Sequence, residues 1–179
     1  MKFNQEKETF PLDFWQGHQD QVRTRAVAGQ TGRIIAGRIR PGTDLVTGIL
    51  ALAKEHGVKT ALVNAFGSLA KARFSEGVQT CSDDPSRAER IPPRTVDGPL
   101  EFICGQGKIG FPEGKDPVVH FHGLFVTSKG QLMGGHFFPG DNPVWATFEV
   151  VIQEILGMDF DWQLDPEPQI NIMEAVPRS

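Results

Sequence analysis

The stretch HFHGLFVTSKGQLMGGHFF, residues 120–138, carries three of the five histidines of this 179-residue chain. The histidines lie among apolar residues and glycines on both sides of a central Ser-Lys-Gly, a pattern typical of two β-strands joined by a tight turn. A three-residue turn requires a left-handed residue at its last position, where Gly130 stands. The stretch therefore predicts a β-hairpin.

The register of this hairpin decides whether its histidines converge. A three-residue turn places His122 opposite His136, with Cβ atoms about 4.5–5.5 Å apart. His120 then lies diagonally from His136 on the same face, because side chains alternate along a strand. A two-residue turn instead places His136 on the opposite face. A metal site is thus a prediction that depends on the register.

Three converging imidazoles suit a divalent transition metal. Zinc is the ion we expect first, with iron or nickel as alternatives, and three histidines leave an open position as in catalytic zinc sites. The alternatives are core histidines with satisfied hydrogen bonds, or a hydrogen-bonded seam at a subunit interface. Cys104 is interpreted as a small buried hydrophobe. The candidates for orienting an imidazole or lining a ligand pocket are Glu101, Glu149, Arg38, Asn64 and Ser68.

The remaining elements predict an α+β fold, with one main helix packed on a mostly antiparallel or mixed sheet. Thr43 or Asp44 is expected to cap the helix, and His56-Gly57 to end it. Residues 75–97 are expected to form a long surface loop. Strands are expected at 33–40, 60–74, 100–109 and 144–156, with a last hairpin from 159–164 and 169–175. The segment 149–156 also fits a helix.

The domain organisation and the association state follow from apolar positions. We expect an N-terminal extension over residues 1–30, whose Phe10, Leu12, Phe14 and Trp15 can dock on a neighbouring subunit, and a single domain over 31–179. Gly123 and Gly135 face each other away from the histidines and leave room for a helix or another chain. Since both faces of the hairpin carry apolar groups, a homo-oligomer with the histidines near an interface is expected.

Composition narrows the class of protein. The net charge of −4 argues against a broad nucleic-acid surface, which needs clustered Lys and Arg. The arginines at 23, 25 and 33 and those at 87, 90 and 94 are interpreted as solvated surface residues. No apolar run is long enough for a membrane span, and no signal-peptide pattern is present. Two cysteines make no disulfide framework, so the cytoplasm is the expected compartment.

The histidine segment also carries a family resemblance. PVVHFHGLFVTSKGQLMGGHFFPG (117–140), followed by ATFEVVIQE (146–154), resembles the core motif of the PPC (plants and prokaryotes conserved) domain family. RIRPGTDLVTGILALAKEHGV (38–58) and AFGSL (65–69) resemble its early strand, helix and next strand. The resemblance covers residues 33–156. It implies a homotrimer of compact α+β domains, and a metal on His120, His122 and His136.

The resemblance leaves three classes of function open. Plant members carry AT-hooks and associate with transcription factors, and free-standing prokaryotic members share a DNA-binding label. RTRAVAGQTGR (23–33) and RIRPG (38–42) lack the Arg-Gly-Arg-Pro core that enters the minor groove. The first class is a trimeric binding or regulatory module, with a structural or sensory metal and a protein partner. The others are a small metal-dependent enzyme using the open position and direct DNA binding.

Overall fold

The structure is a computed structural model that describes residues 22–84, 87–111, 114–167 and 169–178, without the side chain of Thr80. The proposed docking residues Phe10, Leu12, Phe14 and Trp15 lie outside these ranges. The elements are β1 (Gln30–Ile39), α1 (Leu45–Glu55), β2 (Thr60–Ser75), β3 (Val78–Thr80), β4 (Ala88–Arg90), β5 (Arg94–Gly110), β6 (Val118–Thr127), β7 (Leu132–Phe137), β8 (Val144–Leu156), β9 (Met158–Asp165) and β10 (Ile170–Pro177).

Six strands form one antiparallel sheet in the order β1-β8-β2-β5-β6-β7. The end of the long strand β2 also pairs with β7, where Phe74 faces Phe137 and Ser75 faces His136. Strand β2 is irregular at Gly67, as the sequence predicted. A Cβ there would lie 2.4 Å from the Thr147 carbonyl oxygen, so β8 approaches at a distance that only glycine permits.

Helix α1 packs on one face of this sheet and confirms the α+β prediction. Asp44 is its N-cap, since the carboxylate accepts a 2.8 Å hydrogen bond from the Thr47 amide. His56 is the C-cap, followed by Gly57 at φ +65°. Leu45, Ile49 and Ala53 recur at helical spacing and are fully buried.

The core behind the histidine hairpin is built from phenylalanines. Among the residues that the structure describes, six phenylalanine rings are completely buried: Phe74, Phe102, Phe121, Phe125, Phe137 and Phe148. Phe102 contacts Phe148 and Phe137, with ring centroids 4.9 and 5.3 Å apart. Since Phe121 and Phe125 alternate with the histidines along β6, their burial directs His120 and His122 to the opposite face.

The facing glycines Gly123 and Gly135 are paired as predicted. The prediction that a helix or another chain fills the space beside them is wrong. A Cβ on Gly123 would lie 2.1 Å from the Phe102 ring, and one on Gly135 would lie 2.0 Å from the Ser75 carbonyl oxygen. The space is therefore filled by β5 and β2 of the same chain, because the curled sheet brings these strands over the hairpin.

The predicted strand at 144–156 is confirmed as β8, which pairs on both sides with β1 and β2, so the helical alternative for 149–156 does not form. Two other expectations are corrected. The expected loop 75–97 contains the β3–β4 hairpin and the first residues of β5. Cys104 is exposed, because the strand register shifts between Phe102 and Cys104 and turns the thiol outward.

The last predicted hairpin is confirmed as β9–β10, a separate two-stranded sheet. It has a small core of Met158, Phe160 and Met173, and Lys115 contacts the carboxylate of Asp161 on β9. Within the described ranges, no helix has the length and apolar content needed to cross a membrane.

Candidate metal centre

The turn between β6 and β7 has the three-residue geometry predicted for it. The Gly130 amide donates a 2.8 Å hydrogen bond to the Thr127 carbonyl, and the Thr127 amide bonds the Gln131 carbonyl at 3.0 Å. Gly130 has φ +74°, the left-handed conformation. His122 consequently pairs with His136, so the register on which the metal site depends is confirmed.

The three imidazoles converge on one point. The Nε2 atoms of His120 and His122 are 2.8 Å apart, and Nδ1 of His136 lies 3.3 Å from Nε2 of His122. One ligand atom from each ring can be chosen so that all lie within 4.8 Å of one another. A tetrahedral ion with bonds of about 2.0–2.1 Å holds its ligand atoms about 3.4 Å apart. The donor set therefore fits such an ion.

The surroundings of the cluster keep its imidazoles neutral, so that their nitrogen lone pairs are available to a metal. Burial, followed by the charges of His122, Arg90 and Lys108, lowers the pKa of His120 to about 4. Burial, followed by Arg90 and the other two histidines, lowers the pKa of His136 to about 3. The pKa of His122 is also lowered, first by burial and then by Arg90. Neutral imidazoles are the form that binds a metal.

Aromatic rings support the cluster from both sides. His136 is 6% exposed and contacts the Phe138 ring, with centroids 4.7 Å apart. His120 contacts Trp162 of β9, with centroids 5.4 Å apart. Packed rings restrict the rotamers of the two imidazoles and so preorganise the site. Sequence reasoning missed Trp162, because it lies 42 residues after His120 in a separate hairpin.

Arg90 is the second residue whose place near the cluster the sequence did not reveal, since it is interpreted there as a solvated surface arginine. Its guanidinium carbon lies 5.7 Å from the centroid of Phe138, and that of Arg73 lies 5.4 Å from the same ring. The other five arginines of the two sequence clusters contact carboxylates. Three of the acidic partners are distant in the chain: Glu154 on β8, Glu174 on β10 and Glu167 in the turn between β9 and β10. The other two, Asp83 and Glu76, lie within the 76–94 segment.

The five polar candidates lie elsewhere on the sheet. Arg38 donates to the Ala146 carbonyl at 3.3 Å, and Ser68 Oγ accepts a 3.2 Å hydrogen bond from the Ala146 amide. Glu101 faces Ser68. Asn64 and Glu149 line a shallow hollow with Cys104. Among the hydrogen bonds of the described residues, those of the three imidazoles join only one another. An orienting role for these five stays a prediction.

This hollow belongs to an exposed apolar face of the sheet, which we call the open face. Its large side chains come from β2, β5, β6 and β8, and are Leu62, Phe66, Ile103, Leu124 and Val151. The strand register places His122 on the same face, beside Leu124 and Cys104. The metal cluster therefore stands at the border of an uncovered apolar surface.

The geometry defines a class of protein: a small α+β domain with a three-histidine cluster on a curled antiparallel sheet. The profile of the Plants and Prokaryotes Conserved (PCC) domain matches residues 26–156. The chain belongs to this family, the PPC family that its sequence resembles. The C-terminal hairpin that supplies Trp162 follows the matched segment.

Solved structures share the fold. A metal-containing protein from Archaeoglobus fulgidus superposes with a TM-score of 0.68 at 22% identity, covering 84% of this chain and 99% of that protein. A candidate DNA-binding protein from Ralstonia eutropha JMP134 has a TM-score of 0.61 at 22% identity, covering 78% of this chain and 89% of that one.

One curated relative is the bifunctional protein GlmU of Synechococcus sp. (strain JA-2-3B'a(2-13)). It is 31% identical over 130 residues, which make up 72% of this chain and 18% of that protein. This chain thus spans less than a fifth of the relative's length, and the similarity concerns the domain alone.

Proposed function

We propose that the chain is a metal-binding association module, a homotrimer in which His120, His122 and His136 hold a divalent transition ion, zinc first. The convergence of three imidazole nitrogens on a paired, aromatic-flanked hairpin carries this proposal. A bound ion of this kind supplies a Lewis acid with an open coordination position. The metal-containing relative from Archaeoglobus fulgidus supports the assignment.

The open face supports self-association. Leu62, Phe66, Ile103, Leu124 and Val151 are 36%, 53%, 51%, 43% and 41% exposed. Contiguous apolar groups of this size on a sheet are covered in a stable assembly, because leaving them in water costs about 25 cal/mol per Å². Copies of the same chain are the occupant we propose, and Arg38, Asn64 and Glu149 then become interface groups.

Duplex DNA is not the partner we propose. Arg23, Arg25 and Arg33 each contact a carboxylate, so the N-terminal cluster is neutralised locally and does not present a row of free cations to phosphates. The DNA-binding name of the Ralstonia protein remains a statement about that relative.

Elemental analysis of tag-free protein tests the metal site. We expect near-stoichiometric transition metal in the wild type and in His56→Ala, which removes the histidine at the end of α1. We expect its loss in His122→Ala. Circular dichroism checks that both variants fold. Metal-free wild type, or equal metal in both variants, contradicts the assignment.

Light scattering on the same samples tests the association. A mass about three times that of the 19.7 kDa chain is expected, and a monomer at micromolar concentration contradicts the trimer.

A further inference from the structure

The surroundings of the histidine cluster are positively charged. Lys108 faces His120 in the β5–β6 register, and its ammonium lies 5.2 Å from the Phe160 ring centroid. Arg90 is held from the other side through Phe138, which contacts His136. No carboxylate of the described chain is among the charges that shift the three histidine pKa values. A bound divalent ion adds two further positive charges to this surrounding.

Arg90 has no acidic partner in the described part of the chain, unlike the other arginines of its cluster. Partial burial lowers the pKa of its guanidinium, although the residue keeps exposed surface. Partial desolvation of a guanidinium costs free energy unless an anion pairs with it. Its exposure means that the counter-charge can come from solvent.

We infer that the site binds a small oxyanion, a carboxylate or a phosphate, with one oxygen on the metal and another on the guanidinium of Arg90. This inference rests on the proposed metal site and names the ligand class of its open position. Guanidinium is planar and offers parallel N–H donors, which match two oxygens of either anion. Lys108 adds a point charge on the opposite side of the cluster.

The geometry also explains the two guanidiniums at one phenyl ring. Arg73 and Arg90 lie on Phe138 at similar distances, so the ring holds the Arg90 side chain beside His136 without neutralising it. A carboxylate partner in its place would cancel the charge that attracts the ligand. The Phe138 ring thus holds the Arg90 side chain in place while its positive charge is kept. A solvated surface arginine requires no such contact.

Cobalt-loaded protein tests the inference, because the visible absorption of Co²⁺ responds to its ligands. Inorganic phosphate and acetate are titrated separately into wild type, Arg90→Gln and Arg87→Gln, and the bound cobalt is counted in each. We expect saturable spectral changes in the wild type and in Arg87→Gln, whose arginine pairs with Asp83 in the same segment. We expect an affinity lower by about tenfold or more in Arg90→Gln.

The two anions distinguish the two possible sources of the ligand. Tighter binding of inorganic phosphate indicates a phosphate ligand, and tighter binding of acetate indicates a carboxylate ligand. Arg90→Lys keeps the positive charge but lacks the planar guanidinium, so its anion affinity should lie between those of the wild type and Arg90→Gln. This variant still tests the inference if Arg90→Gln disturbs folding. Full cobalt with equal anion affinity in every variant, or with no response to either anion, overturns the oxyanion site alone. Failure of the wild type to bind cobalt overturns the metal site and the inference together.

Discussion

His122 and His136 face each other across the β6–β7 hairpin, with Nε2 of the first 3.3 Å from Nδ1 of the second. Their 14-residue separation is set by one turn, whose left-handed residue is Gly130. The backbone of His136 is also held from its other side, because it pairs with Ser75 at the end of β2. The position of two proposed ligands is thus determined by ladder hydrogen bonds on both sides of β7.

Metal retention should be insensitive to mild acid. His120 has a pKa of about 4 and His136 of about 3, and the pKa of His122 is lowered as well, so protons compete with the metal below the usual histidine range of about 6.5. Competition with a chromophoric chelator at a series of pH values should give a constant zinc affinity from about pH 7.5 to about pH 5. A steady fall that begins near pH 6.5 contradicts this expectation.

The pH dependence of the free energy of unfolding of the metal-free protein should reflect the same histidines. Their pKa values are lower in the folded chain than in the unfolded one, so the unfolded state binds more protons as the pH falls through about 6.5. Stability is complete above that pH and decreases towards about pH 3. Chelator-treated protein should therefore show a steeper acid transition than His122→Ala, measured by circular dichroism.

Assembly should depend on the open face. Phe66→Asp places a charge on the exposed apolar surface, which an interface cannot cover without a desolvation cost of several kcal/mol. We expect the mass in light scattering to fall to 19.7 kDa. Val78→Asp is the matched control, since Val78 is also an exposed apolar residue but lies on β3. A trimer in both variants argues for a different interface.

The turn residue should matter through backbone conformation alone. A Cβ on Gly130 meets nothing within 4 Å, but φ is +74°, so Gly130→Ala should cost about 1 kcal/mol in free energy of unfolding. Gly77→Ala is the control, since its Cβ also meets nothing within 4 Å and its φ is not in the left-handed region. That variant should be neutral or slightly stabilising. Equal denaturation midpoints for the two variants contradict the strained-turn account.

The Arg33–Glu154 pair should contribute to acid sensitivity. The Arg33 side chain and then its backbone amide donate hydrogen bonds to Glu154 and lower the pKa of that carboxyl to about 2. Since the folded pKa is depressed, the stabilisation is present above about pH 4.5 and is lost as the pH falls towards about 2. Glu154→Gln should take up about one proton fewer on acid unfolding.

The matched control for that measurement is Glu55→Gln, because Glu55 is an exposed glutamate at the end of α1. The acid transition of Glu154→Gln should differ from that of the wild type by more than the transition of Glu55→Gln does. If both variants shift the transition equally, the ion pair does not couple protonation to folding.

The sequence was sufficient where the physics is local. Alternation along 118–127 and a glycine that permits φ +74° are properties of one hairpin, and the three-residue turn that they favour pairs His122 with His136, as the structure confirms. The Asp44 cap and the buried stripe of α1 are local for the same reason. Such features depend on neighbours within a few residues, and those neighbours are visible in the chain.

Local patterns left open or misjudged what a partner strand determines. Residues 149–156 are predicted as strand with a helix as the alternative, and pairing with β1 and β2 makes them strand. Cys104 is apolar in character, but a register shift between β5 and β6 turns it to the exposed face. Neither outcome has a local signal, because a partner strand far along the chain determines each.

The sequence predicts a β-hairpin with His120 and His122 on one face, since alternation is a property of consecutive residues, and it offers a three-residue turn that brings His136 to that face. The register of the folded hairpin confirms that turn. Only the tertiary structure decided what surrounds the three histidines. The curled sheet brings Ser75 to His136, the last hairpin brings Trp162 to His120, and the β3–β4 hairpin places Arg90 at Phe138. These contacts join segments distant in the chain, and their formation depends on the free energy of burying a common core.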